Sequence, residues 1–167
     1  MDTYKINIEG LDRELRKFPV NDKLDIAAFI MFGDIEMTEV AARELLKRVP
    51  EHDVVVTAEA KGIPLCYEMA RQGCRNYVVA RKSVKVYMGN PIGVTVNSIT
   101  TKNEQKLYLG EDDVNLLNGK RVLLVDDVIS TGESLTESLT ETQIRLKNKV
   151  IPRRIEKTAG NWKKETP

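Results

Sequence analysis

VLLVDDVISTGESL, residues 122–135, is the stretch whose reading decides the fold. Val122, Leu123, Leu124 and Val125 are consecutive apolar residues inside KRVLLVDDV (120–128), the strongest strand candidate in the chain. A strand apolar on both faces belongs in a sheet covered on both sides. This one delivers Asp126 and Asp127 to its carboxyl end. A loop of small hydroxyl and glycine residues follows: Ser130, Thr131, Gly132 and, after Glu133, Ser134. ESLTESLTETQIRLK (133–147) then reads as a helix.

In an open α/β sheet, ligands bind at the carboxyl ends of the strands. The start of a helix, with its free N–H groups, is an anion site. The hydroxyls add donors, and Gly132 lets the backbone approach the anion. The two aspartates suit sugar hydroxyls or a hydrated Mg2+. A phosphate and a diol on one strand–loop–helix unit describe a site for a ribose 5-phosphate. Helix capping alone needs one hydroxyl residue. It leaves the acidic pair unexplained.

Upstream, strand and helix alternate. DVVVTAEA (53–60) and RNYVVARK (75–82) read as buried strands, with the helix GIPLCYEMARQG (62–73) between them. Residues 94–98 and 106–109 alternate like a hairpin or a pair of extended arms. This order predicts an α/β fold with an open parallel sheet. The first 50 residues carry helical patterning: LDIAAFIMF (24–32) is apolar, and TEVAARELLKRV (38–49) is amphipathic, with Thr38 as N-cap and Pro50 as stop. The final stretch, NKVIPRRIEKTAGNWKKETP (148–167), is polar and basic, with one weak strand candidate, KVI. It predicts a frayed or loosely docked tail.

A length of 167 residues suits one domain. Hydrophobic residues at 41% and charged residues at 31% give an ordinary soluble balance. Lys+Arg at 26 against Asp+Glu at 25 argues against a strongly basic nucleic-acid binder. No apolar stretch has membrane-spanning length, and MDTYKINIEG lacks the pattern of a secretory signal. The cysteines, Cys66 and Cys74, make no disulfide framework and fit a reduced, cytoplasmic compartment. A single histidine, His52, excludes metal sites with two histidine ligands. Its setting, PEHD, reads as an exposed loop rather than part of a catalytic triad.

VLLVDDVISTGES resembles the phosphoribosyl-pyrophosphate-binding signature of type I phosphoribosyltransferases. TAEAKGIPL (57–65) is similar to the pyrophosphate loop of that family, in the form found in adenine phosphoribosyltransferases. The resemblance implies a Rossmann-like open parallel sheet with an N-terminal hood and a mobile loop. It places hood and first helices in 1–50, the core in 53–135, the whole domain in 1–147 and a divergent tail in 148–167. Asp126 and Asp127 would hold the ribose hydroxyls, Ser130, Thr131, Gly132, Glu133 and Ser134 would anchor the 5-phosphate, and Val128 and Ile129 would belong to the same substrate-binding segment. Ala60, Lys61 and Gly62 would hold pyrophosphate through backbone amides, with a strained peptide, open to the cis form, within 59–61.

VVARKSVKVYMG (78–89) resembles the family's segment in which an Arg-Lys pair precedes the mobile loop. By that resemblance Arg81, Lys82 and Lys85 neutralise the leaving group, and the loop spans about 83–106. Phe29, Met31 and Phe32 are candidates for contact with the base, Phe32 foremost. The implied activity is transfer of a 5-phosphoribosyl group from phosphoribosyl pyrophosphate to a purine base, in purine salvage. Mg2+ would be carried by the substrate near Asp126 and Asp127, the protein itself supplying no metal site. The implied assembly is a homodimer, with neither nucleic acid nor membrane as partner.

The form of the pyrophosphate loop favours adenine. SITTKNEQ (98–105) departs from the Tyr/Glu segment of the adenine enzymes, so xanthine, guanine and hypoxanthine stay open. A non-catalytic sensor of phosphoribosyl pyrophosphate on the same fold is the alternative. A phospho-acceptor receiver domain fits poorly, because its acidic pair would follow the first strand.

Overall fold

The computed structural model describes residues 2–22, 24–96, 105–127 and 155–156. Its centre is a parallel sheet of four strands in the order β5-β4-β8-β9. These are β4 (Val54–Ala58), β5 (Tyr77–Ala80), β8 (Val122–Leu124) and the short β9 (Ile155–Glu156). Helix α2 (Ile63–Gln72) joins β4 to β5, and helix α3 (Glu111–Leu117) precedes β8.

The continuous apolar strands follow from burial on both faces. Val54, Val56, Val78, Val122 and Leu124 pack with Leu109 and Leu117 on one side. Val55, Leu123 and Val125 pack on the other side with Met31, with Met37 and Ala42 of helix α1 (Ile35–Leu46), and with Leu65 and Met69 of α2. Each such aliphatic side chain contributes about 1.5–3 kcal/mol when fully buried. The expected parallel sheet, covered on both sides, is therefore present.

The N-terminal region corrects the sequence reading. Helical structure in the first 50 residues is confined to α1. Residues 3–27 form an antiparallel meander of β1 (Thr3–Ile8), β2 (Leu11–Asn21) and β3 (Leu24–Ala27). Along β2 the half-buried Leu11, Arg13, Leu15 and Lys17 alternate with exposed Asp12, Glu14, Arg16 and Phe18. That is a strand period, carried partly by the stems of charged side chains. Glu9 (φ 48°) and Gly10 (φ 88°) make the hairpin turn. Positive φ at both central residues matches the right-handed twist of paired strands.

Helix α1 also starts one turn before the expected Thr38 cap. Asp34 accepts from the Met37 N–H at 3.1 Å, while Thr38 lies inside the helix and donates to the Asp34 carbonyl at 2.7 Å. Arg13 on β2 fixes that cap through a 2.6 Å contact from its Nε to Asp34 Oδ2.

After β5 the chain makes a 3-10 turn (Val86–Met88) and then pairs β6 (Ile92–Val96) with β7 (Gln105–Leu109). Within the stretch read as a loop over 83–106, residues 92–96 and 105–106 are strand, the alternating arms pair antiparallel, and 97–104 lie outside the described residues. Helix α3 went unanticipated; Glu111, Asp112 and Asp113 in its first turn suit its N-terminal end. β9 pairs with Val122 and Leu123 from within the expected frayed tail. The helix expected over 133–147 and the KVI candidate (149–151) lie outside the described residues. His52 is half-buried rather than exposed, and its Nδ1–H donates to the Pro50 carbonyl at 2.9 Å.

Candidate active site

The backbone N–H of Val125 donates to the Val56 carbonyl at 2.9 Å, so the β8 register runs on past Leu124. Asp126 and Asp127 thereby emerge at the carboxyl edge of the sheet, beside the end of β4. Asp126 Oδ1 accepts from the Asp127 N–H at 2.9 Å. Burial, followed by the hydrogen bond with the neighbouring carboxyl of Asp127, pushes Asp126 up to about 6. The Asp127 N–H and the Lys61 ammonium pull the other way.

The Asp127 side chain is 6% exposed, and its Oδ2 lies 3.0 Å from Lys61 Nζ. Among the described residues the same oxygen has no hydrogen-bond partner. The two observations describe one contact: charge compensation at ion-pair distance without an aligned bond. A buried carboxylate oxygen whose main compensation is one ion pair keeps capacity for a further partner.

Lys61 comes from the turn between β4 and α2. The Glu59–Ala60 peptide is cis, within the segment where the resemblance implied one. Ala60 and Lys61 are exposed, and Gly62 caps α2. A Cβ on Gly62 would collide with the Thr57 hydroxyl and come within 3.2 Å of Asp126 Oδ1. Glycine is what lets this turn approach the aspartates.

The basic segment lies at the neighbouring strand end. Arg81 forms an antiparallel bridge with Tyr108 of β7, at 2.9 and 2.8 Å. Its guanidinium donates to the Tyr87 hydroxyl at 2.8 Å and lies 3.3 Å from Glu59 Oε1. The Lys82 N–H donates to Glu59 Oε2 at 2.9 Å. Lys82 is exposed, and Lys85 Nζ donates to Ser83 Oγ at 2.7 Å.

The structure thus brings Asp126, Asp127, Lys61 and Gly62 together and ties Arg81 and Lys82 to the same turn through Glu59. Glu59 was missed in the sequence; an acidic residue opening a turn otherwise joined to basic neighbours was the available signal. A cavity of about 420 Å³ opens beside the aspartates, lined by Phe29, Met31, Leu65 and Met69 together with Asp126 and Asp127. Phe32 is 52% exposed and is not among its lining residues. Val128, Ile129, Ser130, Thr131, Gly132, Glu133 and Ser134 lie outside the described residues.

A carboxylate pair and a glycine-hinged turn at the carboxyl edge of an open parallel sheet lie where α/β proteins of this class bind their ligands. Residues 31–149 match the phosphoribosyl transferase domain model, and the chain belongs to that family. It is 30% identical over 152 residues to the hypoxanthine/guanine phosphoribosyltransferase of Methanothermobacter thermautotrophicus, covering 84% of this chain and 75% of that protein. It is 35% identical over 145 residues to the enzyme of the same name from Methanothrix soehngenii, covering 82% and 73%. Among solved structures it is similar to the adenine phosphoribosyltransferase of Thermoanaerobacter pseudethanolicus, with a TM-score of 0.63, 19% identity, and 84% and 80% of the two chains covered. The fold is accordingly that of the type I phosphoribosyltransferases.

Proposed function

We propose that the protein transfers a 5-phosphoribosyl group from phosphoribosyl pyrophosphate to a ring nitrogen of a purine base. The bond from C1 of the ribose to pyrophosphate breaks, a bond from C1 to nitrogen forms, and the ring nitrogen gives up its proton. The observation that carries this reading is the buried Asp127 carboxylate, paired with Lys61, beside Asp126 and the Gly62 turn.

In this reading Asp126 and Asp127 bind and orient the ribose hydroxyls while C1 gains positive character. Residues 128–134 hold the 5-phosphate. The amides of Ala60, Lys61 and Gly62 hold the departing pyrophosphate, and the Lys61, Arg81, Lys82 and Lys85 cations offset its charge. The hard, partly unpaired oxygens of Asp126 and Asp127 fit a Mg2+ ion that a diphosphate brings with it. Among the described residues no group of at least three His, Cys, Asp or Glu side chains is placed to hold a metal on its own. Bound there, Mg2+ would supply charge neutralisation at the ribose and pyrophosphate oxygens. Phe29 and Met31, in the cavity wall, take the base-side role; the exposed Phe32 ring adds a stacking surface.

Hypoxanthine or guanine is our first choice of base, on the strength of the relatives at 30% and 35% identity. Adenine is second, carried by the TAEAKG form of the turn. A homodimer is part of the same proposal, tested by sedimentation. The cytoplasmic setting is proposed too; among the described residues no helix is long and apolar enough to cross a membrane.

The experiment is pyrophosphate release with Mg2+ and phosphoribosyl pyrophosphate over a panel of purine bases. Release that depends on hypoxanthine or guanine supports the reading. Release with adenine alone moves the choice of base to the second reading. Donor binding without turnover on any base rejects the enzyme in favour of a sensor.

A further inference from the structure

We propose that Glu59 is a positioning residue for the transfer reaction, presetting the leaving-group side through Arg81 and the backbone of Lys82. The inference rests on the transferase reading above.

Glu59 opens the turn that carries Lys61 and Gly62. Both of its carboxylate oxygens are used, and both uses reach across to the next strand end: Oε2 takes the Lys82 N–H at 2.9 Å, and Oε1 lies 3.3 Å from Arg81 Nη2. Its own N–H donates to the Ala80 carbonyl at 2.9 Å. The ends of β4 and β5 are thus locked by one residue. The Lys82 N–H, then the Arg81 guanidinium, hold its carboxyl below the usual range, so it is an anion at neutral pH.

An anion here is electrostatically adverse. Lys61, Arg81, Lys82 and Lys85 surround a place proposed for a multiply charged leaving group, and a carboxylate among them weakens the attraction. Affinity alone would favour a neutral side chain. What the carboxylate supplies is direction. Arg81 Nε is buried without a hydrogen bond, and the tip of the guanidinium is held by Tyr87 and Glu59. The Arg81 backbone is bridged to Tyr108, so the same residue joins the β6–β7 hairpin to the pyrophosphate turn. With Glu59 removed, the guanidinium loses one of its two tip contacts and the turn loses its tie to β5.

The test compares Glu59→Ala, Glu59→Gln, Arg81→Ala and the double alanine variant. Steady-state kinetics are taken in both directions, with thermal melting alongside. Glu59→Ala should lower kcat by about tenfold to a hundredfold, as misplaced positioning groups do. It should raise KM for pyrophosphate and leave KM for the base within about twofold. Glu59→Gln keeps an acceptor for the Lys82 N–H and should recover part of kcat, and it serves if the alanine variant fails to fold. The double variant should lose less than the product of the two single losses, because part of the Glu59 effect runs through Arg81.

Losses that multiply in the double variant would overturn the inference. So would a change in KM for the base equal to that for pyrophosphate, or loss of activity only in step with loss of folded protein. An active wild type with an unaffected Glu59→Ala sinks this inference alone. A wild type inactive on every base removes the transferase reading, and this inference with it.

Discussion

The ends of β8 and β5 lie at one sheet edge yet are finished in opposite ways. At β8, burial raises Asp126, and Asp127 keeps a buried oxygen with no hydrogen bond. At β5, the Arg81 guanidinium and the Lys82 N–H are matched to Glu59, and Lys85 to Ser83. The β8 end carries polar cost that a ligand would relieve. The β5 end is matched within the protein except at Arg81 Nε, and in the proposed reading it serves placement. The difference teaches that a site can divide its labour, with one strand end that binds and another that aims.

The largest effect should come from breaking the β8 end. Asp127→Ala should lower kcat/KM by about a hundredfold to a thousandfold, the scale of losing a group aimed at developing charge. The variant also gives up the Lys61 ion pair and the contact with the Asp126 carboxyl, so the kinetics are read on protein shown by melting to be folded. An Asp127→Ala variant with near-native kinetics would erase the contrast.

Next comes the hinge between the two ends. Gly62→Ala places a methyl against the Thr57 hydroxyl and near Asp126. It should destabilise by about 1–3 kcal/mol, as overpacking does, with activity falling as the turn backs away. Urea unfolding measures the first and pyrophosphate release the second.

A smaller effect sharpens the comparison through pH. Asp126 has a raised folded-state value, so the folded form binds the proton more tightly than the unfolded form. Its contribution to stability is full below the ordinary carboxylate range and is lost as pH rises through about 6. Asp53, paired with Arg121 at the opposite end of the sheet, is lowered chiefly by that side-chain bond. Its contribution is present above the ordinary range and is lost as pH falls. Urea midpoints should therefore lose part of their downward slope across about pH 4 to 6 in Asp126→Asn, and part of their acid sensitivity below about pH 4 in Arg121→Ala. Equal slopes in wild type and Asp126→Asn would contradict the burial of Asp126.

The smallest effect is expected at Phe32. Half-exposed and not among the cavity-lining residues, its replacement by alanine should change KM for the base by less than about threefold. Phe29→Ala should change it more, and the reverse ranking would return the base to Phe32.

The parallel core was legible because burial on both faces writes itself as unbroken runs such as Val54, Val55 and Val56. The aspartates were legible because nothing structural asks for an acidic pair at the end of such a run. The meander was not. In LDRELRK the half-buried positions include Arg13 and Lys17, so charge masks the period of two, and the turn is Glu9–Gly10 rather than the commoner Asn-Gly. The cap at Asp34 was hidden for a related reason: its selection over Thr38 depends on Arg13, distant in sequence. Glu59 left only a faint signal, an acidic residue among basic neighbours, because its meaning lies in two contacts made across the sheet edge. The orientation of Phe32 was not legible, since an aromatic next to a buried methionine carries no sign of which way it faces.

The central claim is that the β8 end binds the ribose of phosphoribosyl pyrophosphate. The most direct test is calorimetric titration of that donor, with Mg2+, into wild type and Asp127→Ala, with folding checked by melting. The account predicts saturable binding to the wild type and a loss of at least about tenfold in affinity for the folded variant. Equal affinity for both proteins, or no binding by the wild type, would contradict it.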